Sequence, residues 1–411
     1  MQNVPMGSMV LAMLSSASLA GLPLKKPEGT PKIAAIMTEW RQFSHADVLV
    51  APMIRGYTLD LEPHWPRVKI ASMYVDQFPE SDLSRAYAKH NRIPIYETIE
   101  QALMMGTDGL AVDGVLVVGE HGQYPRNELG QHMYPRRKFF EAVIGVFEKT
   151  GQVVPVFNDK HLAYNWADAK WMYTKARELG VPFMAGSSLV TCWRRPWLQF
   201  DGTEELEQAV VICYGGIEAY GFHGLETLQC MVEHRKGGET GVRSVQLLDG
   251  PKVWKALDDR PRMRRLADVA LERIAASLKK AGSMRENCTN PYLYLADYND
   301  GLKAAVLGLS GHVNGWGFAA QRKGKAEPVA TEFWLQEPVF GHFNYLARNI
   351  EEMFLTGVPT YPVERTLLTT GILEIGMESR HQGSKKKMTP ELNIRYHPST
   401  RRIRCGGDTM R

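Results

Sequence analysis

The chain has 411 residues, 44% of them hydrophobic and 23% charged, with a formal net charge of +4. That length exceeds one ordinary domain, and the composition is that of a soluble globular protein of two domains. The basic excess is confined to "GSKKKM" and the tail "STRRIRCGGDTMR", where no aromatic residues interleave with the charges, which argues against nucleic-acid binding. No apolar run reaches the roughly eighteen residues of a membrane span. The five cysteines form no CxxC pair, so neither a disulfide framework nor a cysteine zinc site is indicated.

In chain order, "MGSMVLAMLSSASLAG" carries the apolar core of a signal peptide and a small-x-small site at Ser18-Leu19-Ala20, without a basic n-region. An export signal and a disordered leader are equal readings, and residues 1–30 are set outside the fold. From Pro31 strands and helices alternate. "KIAAIM" (32–37), "VKIASMY" (68–74), "GVLVVG" (114–119), "QVVPVFN" (152–158) and "VPFMAGSS" (181–188) read as strands. "SDLSRAYAKHN", "ETIEQALMM" and "RRKFFEAVIGVFEK" read as helices between them. Ala169, Met172, Tyr173 and Ala176 share one face of a further helix, begun by Asn165 and stopped by Gly180. The alternation predicts a doubly wound parallel sheet over 31–188. From 189 to 397 longer strands, "QAVVICYGG", "GVRSVQLLDG" and "LKAAVLGLSGHVNGWGFAA", predict a mostly antiparallel second domain without regular intervening helices. Helices near 341–380 are expected to pack back on the first domain, and 398–411 form a basic tail.

Ligands of a doubly wound sheet sit beyond the carboxyl ends of its strands. Asp76 ends one strand, Glu120 and His121 end a second, and Asp159, Lys160 and His161 end a third. A lysine half-buried beside an apolar strand is suited to proton transfer, because burial favours its neutral form. Asp76 is placed to accept a ribose hydroxyl. The segments "EHGQYPRNELGQHMYPRR", with Tyr124, and "TCWRRPWLQF", with Trp193, Arg194 and Trp197, are expected to line the substrate side. His312 is expected at a sheet edge.

The stretch "DKHLAYNWADAKWMYTKARELGVPFMAGSS" resembles the Glu-Lys-Pro segment of the Gfo/Idh/MocA oxidoreductases. "IPIYETIEQALMMGTDGLAVDGVLVVGEH", "GFHGLETL" and "LLTTGILEIGMESRHQGSKKKMTPEL" resemble other landmarks of that family, over residues 32 to about 397. The resemblance implies a Rossmann domain followed by an α/β domain on a large open, mostly antiparallel sheet, and homo-oligomers formed through that sheet. It implies an NAD(P)-dependent enzyme of sugars or polyols. Lys160 would be its proton-transferring lysine, tuned by Asp159, and His223 a second acid/base. Thr38, Asp76, Glu120, His121 and Lys160 would face the cofactor, with NAD favoured by Asp76. Tyr124, His161, Arg194 and Trp193 would face the substrate.

The sequence departs from that family at its cofactor loop. Where the family carries GxGxxG this chain reads "IMTEWRQFSHADVL", and no glycine lies between Lys32 and Gly56. Glycines there let backbone N–H groups reach a pyrophosphate, which a carboxylate such as Glu39 opposes. Glu-Lys-Pro is here Asp159-Lys160-His161, and Ala219, beside Glu218, replaces the aspartate four residues before His223. Two functions follow. One is an NAD(P)-dependent sugar or polyol oxidoreductase. The other is a pocket that binds, hydrolyses or eliminates a carbohydrate without net redox, with or without a divalent metal held by His121, His161, His223, Glu120 and Asp159.

Overall fold

The computed structural model describes residues 21–336, 340–401 and 403–407. The export-signal reading falls on residues 1–20, outside them. Residues 21–25, set apart from the fold by their sequence, instead dock onto it. Leu22 N–H donates to Leu179 O and Lys25 N–H to Val153 O, both at 2.9 Å. Leu24 bridges to Val153, and the Lys25 ammonium pairs with buried Asp113.

The first domain runs β1 (Lys32–Met37), α1 (His45–Arg55), β2 (Tyr57–Leu59), β3 (Glu62–His64), β4 (Lys69–Val75), α2 (Ser84–Asn91), β5 (Ile95–Tyr96), α3 (Ile99–Met104), β6 (Gly114–Val118), α4 (Arg136–Thr150), β7 (Val156–Asp159), α5 (Trp166–Leu179) and β8 (Phe183–Gly186). Its sheet has six parallel strands in the order β5-β4-β1-β6-β7-β8. β6, β7 and β8 are buried at every residue, as strands covered on both faces must be. Chain order reverses between β1 and β6, so the crevice of the fold opens beyond the ends of these two strands. Asn165 caps α5 through its side chain, and Gly180 closes it in the left-handed region, both as their residue types require.

The second domain runs β9 (Trp193–Arg195), β10 (Leu206–Cys213), α6 (Ala219–Val232), β11 (Val242–Asp249), α7 (Pro251–Asp258), α8 (Pro261–Arg273), α9 (Met284–Asn287), β12 (Tyr292–Tyr298), β13 (Lys303–Gly308), β14 (Trp316–Arg322), β15 (Val329–Trp334), α10 (His342–Thr356), α11 (Glu364–His381) and β16 (Lys387–Met388). The eight-stranded sheet, β16-β11-β12-β13-β10-β14-β15-β9, is antiparallel except where β10 pairs with β13. One face packs on α6 and α11 through Val211, Val245, Tyr294, Val306 and Phe318. The other carries α7 and α8, whose Val253, Leu257, Leu266 and Ala270 cover Val210, Ile212, Leu293 and Leu307. The sequence reading had no helix at 251–273; α7 and α8 cover part of this face of the sheet.

α10 and α11 return to the first domain, α10 against α1 and α11 against α5. On α11, Glu374 accepts a hydrogen bond from the Trp166 amide at the start of α5. Burial pushes its carboxyl up from 4.5 to about 7, against the opposing pull of that amide. Between these two values the folded chain keeps a proton that the unfolded chain releases, so stability is lost as pH rises through the window. Glu374→Gln is therefore expected to raise the melting temperature at pH 8, by at most about 3 kcal/mol of stability, and to bring no gain at pH 4. Melts of both proteins across that range check it.

Candidate active site in the crevice

Four chain segments meet at the crevice around a cavity of about 300 Å³. The end of β6 gives Glu120 and His121, and the end of β7 gives Lys160 and His161. The first turn of α1 gives His45, and α6 gives His223 with Glu218 just before it. Tyr214, Tyr220, Trp316, Phe340 and Phe343 make an aromatic wall, with the Tyr220 and Trp316 rings stacked 9° from parallel. Such an amphipathic wall with convergent polar groups is the usual form of a small-molecule site.

Lys160 sits in the left-handed region at φ 63°. Its amide donates to Gly186 O at 3.1 Å. Gly186 is itself at φ +124°, and a Cβ there would lie 2.5 Å from the Glu226 carboxylate. Glycine is required at that position, and it lets α6 close on the end of β8. The buried Lys160 ammonium meets Glu120 Oε1 at 2.9 Å, and the other Glu120 oxygen takes the buried Arg136 guanidinium. Burial alone would raise the Glu120 carboxyl; the Lys160 and Arg136 cations hold it well below the usual range. Arg136 also reaches His161 Nε2 at 2.9 Å. Thr38 is fully buried behind the site, its hydroxyl donating to Glu120 O at 2.8 Å.

A second pair stands opposite. His45 Nδ1 is 2.6 Å from Asp159 Oδ2, with the carboxylate buried and the imidazole on the cavity. His223 Nδ1 is 2.6 Å from the Ser187 hydroxyl. Burial, with the Lys160 ammonium next, drives the His223 imidazolium well below its ordinary value. Burial pushes His121 and His342 down to about 3. These rings are neutral at pH 7. Glu218 moves the other way, its carboxyl raised by burial although the His132 amide donates to it at 2.8 Å.

The residues singled out by sequence divide into three groups. Lys160, Glu120, His121, His161 and His223 line the one cavity, and Asp159 and Thr38 stand directly behind it. Asp76 and Tyr124 lie together beyond β4, outside the cavity lining. Trp193 and Arg194 are placed elsewhere, contrary to the sequence reading. β9 is the edge of the second sheet, where the Trp193 indole donates to Tyr345 and the Arg194 guanidinium donates to Leu198 O and Gln199. Sequence reasoning missed His45 and His342. The signal for His45 was its position next to Ser44, an N-cap residue opening the helix after the first strand. Among the described residues no group of three or more His, Cys, Asp or Glu is arranged to hold a metal ion.

No family model and no curated protein sequence matches the chain. Solved structures do. GenD2 from gentamicin A biosynthesis, determined in complex with NAD, is 15% identical with a TM-score of 0.54, covering 94% of this chain and 99% of its own. Apo scyllo-inositol dehydrogenase from Lactobacillus casei is 8% identical at TM-score 0.54, covering 88% and 99%. Myo-inositol 2-dehydrogenase from Lactobacillus plantarum is 12% identical at TM-score 0.51, covering 87% and 99%. The fold is that of the Gfo/Idh/MocA oxidoreductases. It is shared with a structure determined in complex with NAD and with two inositol dehydrogenases.

That fold lays a dinucleotide pyrophosphate on the N-terminus of α1. The residues of this chain do not fit one there. Trp40 is fully buried in the turn, stacked on Tyr87 at 4.5 Å, its indole donating to Asp47 Oδ1 at 3.2 Å. Asp47 Oδ2 takes the Phe43 amide, and Ser44 Oγ takes the Asp47 amide. Buried Glu39, paired with Arg41 at 2.8 Å, adds a second carboxylate. At the ribose position Asp76 already accepts from Tyr74 and Tyr124 at 2.7 and 2.6 Å. Gln77 and Gln123 exchange two hydrogen bonds that hold the loop after β6 across the end of β4.

Proposed function

We propose that the chain is a carbohydrate-directed enzyme that moves protons without a nicotinamide. The observation that supports this most is the pairing of two facts about one crevice. Acid–base groups converge on the cavity, while the α1 turn that would carry a dinucleotide is filled by Trp40, Glu39 and Asp47. The substrate class is a sugar or polyol ring, which suits an aromatic wall faced by imidazoles, carboxyls and an ammonium. Lys160, held by Glu120, donates to an oxygen of the substrate as negative charge develops on it. Glu218 is the general acid for a departing or returning hydroxyl. The redox alternative keeps Lys160 and His223 and draws on the shared fold. It has Lys160 take the hydroxyl proton as hydride passes to NAD(P), and it needs a dinucleotide pose for which the α1 turn leaves no cradle.

Incubation with aldoses, ketoses and inositols, followed by proton NMR, tests the choice. Turnover is expected with no dinucleotide present and no dependence on adding one. Turnover that appears only with NAD(P) would overturn the proposal.

A further inference from the structure

Resting on the proton-transfer reading, we infer that His45 is the catalytic base of this site and His223 its neutral N–H donor, so that the enzyme removes a proton from carbon beside a sugar carbonyl. The argument is one of tautomers fixed by neighbours. Asp159 is an acceptor, so the 2.6 Å contact to His45 Nδ1 places the proton on Nδ1. In the neutral ring this tautomer leaves the lone pair on Nε2, on the cavity side. His223 is fixed the opposite way. The buried Ser187 oxygen accepts the Leu189 amide at 3.1 Å, and among the described residues His223 Nδ1, 2.6 Å away, is the acceptor within reach of its proton, so the hydroxyl donates to that nitrogen. His223 therefore carries its proton on Nε2. His121 agrees with His223, since its Nδ1 accepts the His45 amide at 3.4 Å.

One imidazole that accepts and one that donates thus face the same cavity, their rings 6.4 Å apart between centroids. A base about 3 Å from a carbon and a donor about 3 Å from the neighbouring oxygen span a similar distance. The step needs no co-reactant. The C–H bond breaks and its proton goes to His45 Nε2. Its electron pair forms a C=C bond while the carbonyl π pair moves to oxygen, where the His223 N–H and the Lys160 ammonium hold it. Return of the proton to carbon restores the carbonyl. A neutral imidazole is the appropriate donor, because it stabilises the oxyanion without surrendering its proton. Asp159 and Ser187 are positioning residues that set which nitrogen is which.

Two measurements on the full chain test this. Imidazole 15N spectra, assigned with His45→Asn and His223→Asn, are expected to show His45 as the Nδ1–H tautomer and His223 as the Nε2–H tautomer. Ser187→Ala is expected to release only the latter. The same tautomer on both rings overturns the inference. In D2O, D-fructose, D-tagatose and 2-keto-myo-inositol are expected to lose the hydrogen beside the carbonyl. Loss should slow by at least 100-fold in His45→Asn and in Asp159→Asn, which guards against misfolding of either. Exchange indifferent to both variants, or sugars that raise the melting temperature without exchange, overturns the carbon-acid step and leaves the proposed function standing. Sugars that neither bind nor exchange overturn both.

Discussion

Asp159→Asn is expected to lower turnover by about 10³- to 10⁴-fold while leaving the fold intact, since an amide that inverts a catalytic imidazole has that effect in a carboxylate–histidine dyad. Asn has the volume of Asp, so the end of β7 is not disturbed. Its amide presents a donor as readily as an acceptor to His45 Nδ1, now 2.6 Å from the carboxylate. With the amide donating, the proton of His45 moves to Nε2, the nitrogen on the cavity side, and the lone pair needed there is gone. The loss should appear in kcat and kcat/KM alike, because a base acts only in the transition state. A rise in KM alone would mean that Asp159 only shapes the cavity. Sugar titrations and rate measurements on matched protein, with melting curves to verify folding, check this.

Glu120→Ala is expected to cost about 3–5 kcal/mol of stability, as breaking a buried ion pair by removing one partner does. Glu120 serves two buried cations, with Lys160 on one oxygen and Arg136 on the other. Its removal leaves both in a site where, among the described residues, no other carboxylate is hydrogen-bonded to them, and neither can turn to water from its buried position. Glu120→Gln should cost less, since the amide oxygen still accepts, but one amide hydrogen then confronts a cation. Urea unfolding midpoints of the three proteins measure the difference. An Ala variant within 1 kcal/mol of the parent, roughly the effect of an exposed pair, would show that the pair does not anchor the crevice.

What the sequence disclosed depended on how local the cause was. β6 and β7 were legible because parallel strands buried on both faces must be apolar throughout, and their ends were legible because ionisable residues break that run. Asn165 and Gly180 announced α5 by cap chemistry alone. His45 was not seen because its partner, Asp159, is 114 residues away, and only the β1–β6 reversal brings them together. Helices α7 and α8 were readable in principle, each with proline in its first turn and leucine and alanine at helical spacing. Their dense charge disguised the apolar stripe that covers the sheet. Trp193 and Arg194 misled because an aromatic–arginine pair looks the same at a sheet edge as at a ligand.

The same contrast governs the cofactor turn. A missing glycine showed in the sequence only as an absence. The structure supplies what fills the space, a buried Trp40 bonded to Asp47 and an α1 N-terminus whose capping acceptors are its own Ser44 and Asp47. On the proposed reading, a fold shared with the NAD-bound structure of GenD2 is here closed at the α1 turn and open at the crevice cavity.

Calorimetric titration of the full chain with NAD+, NADH, NADP+ and NADPH tests that statement most directly. The expected result is no saturable heat and no rise in melting temperature up to 1 mM, about the upper end of working ligand concentrations, with binding of a sugar or inositol in the same preparation. Saturable binding of any one dinucleotide at micromolar concentration would contradict it.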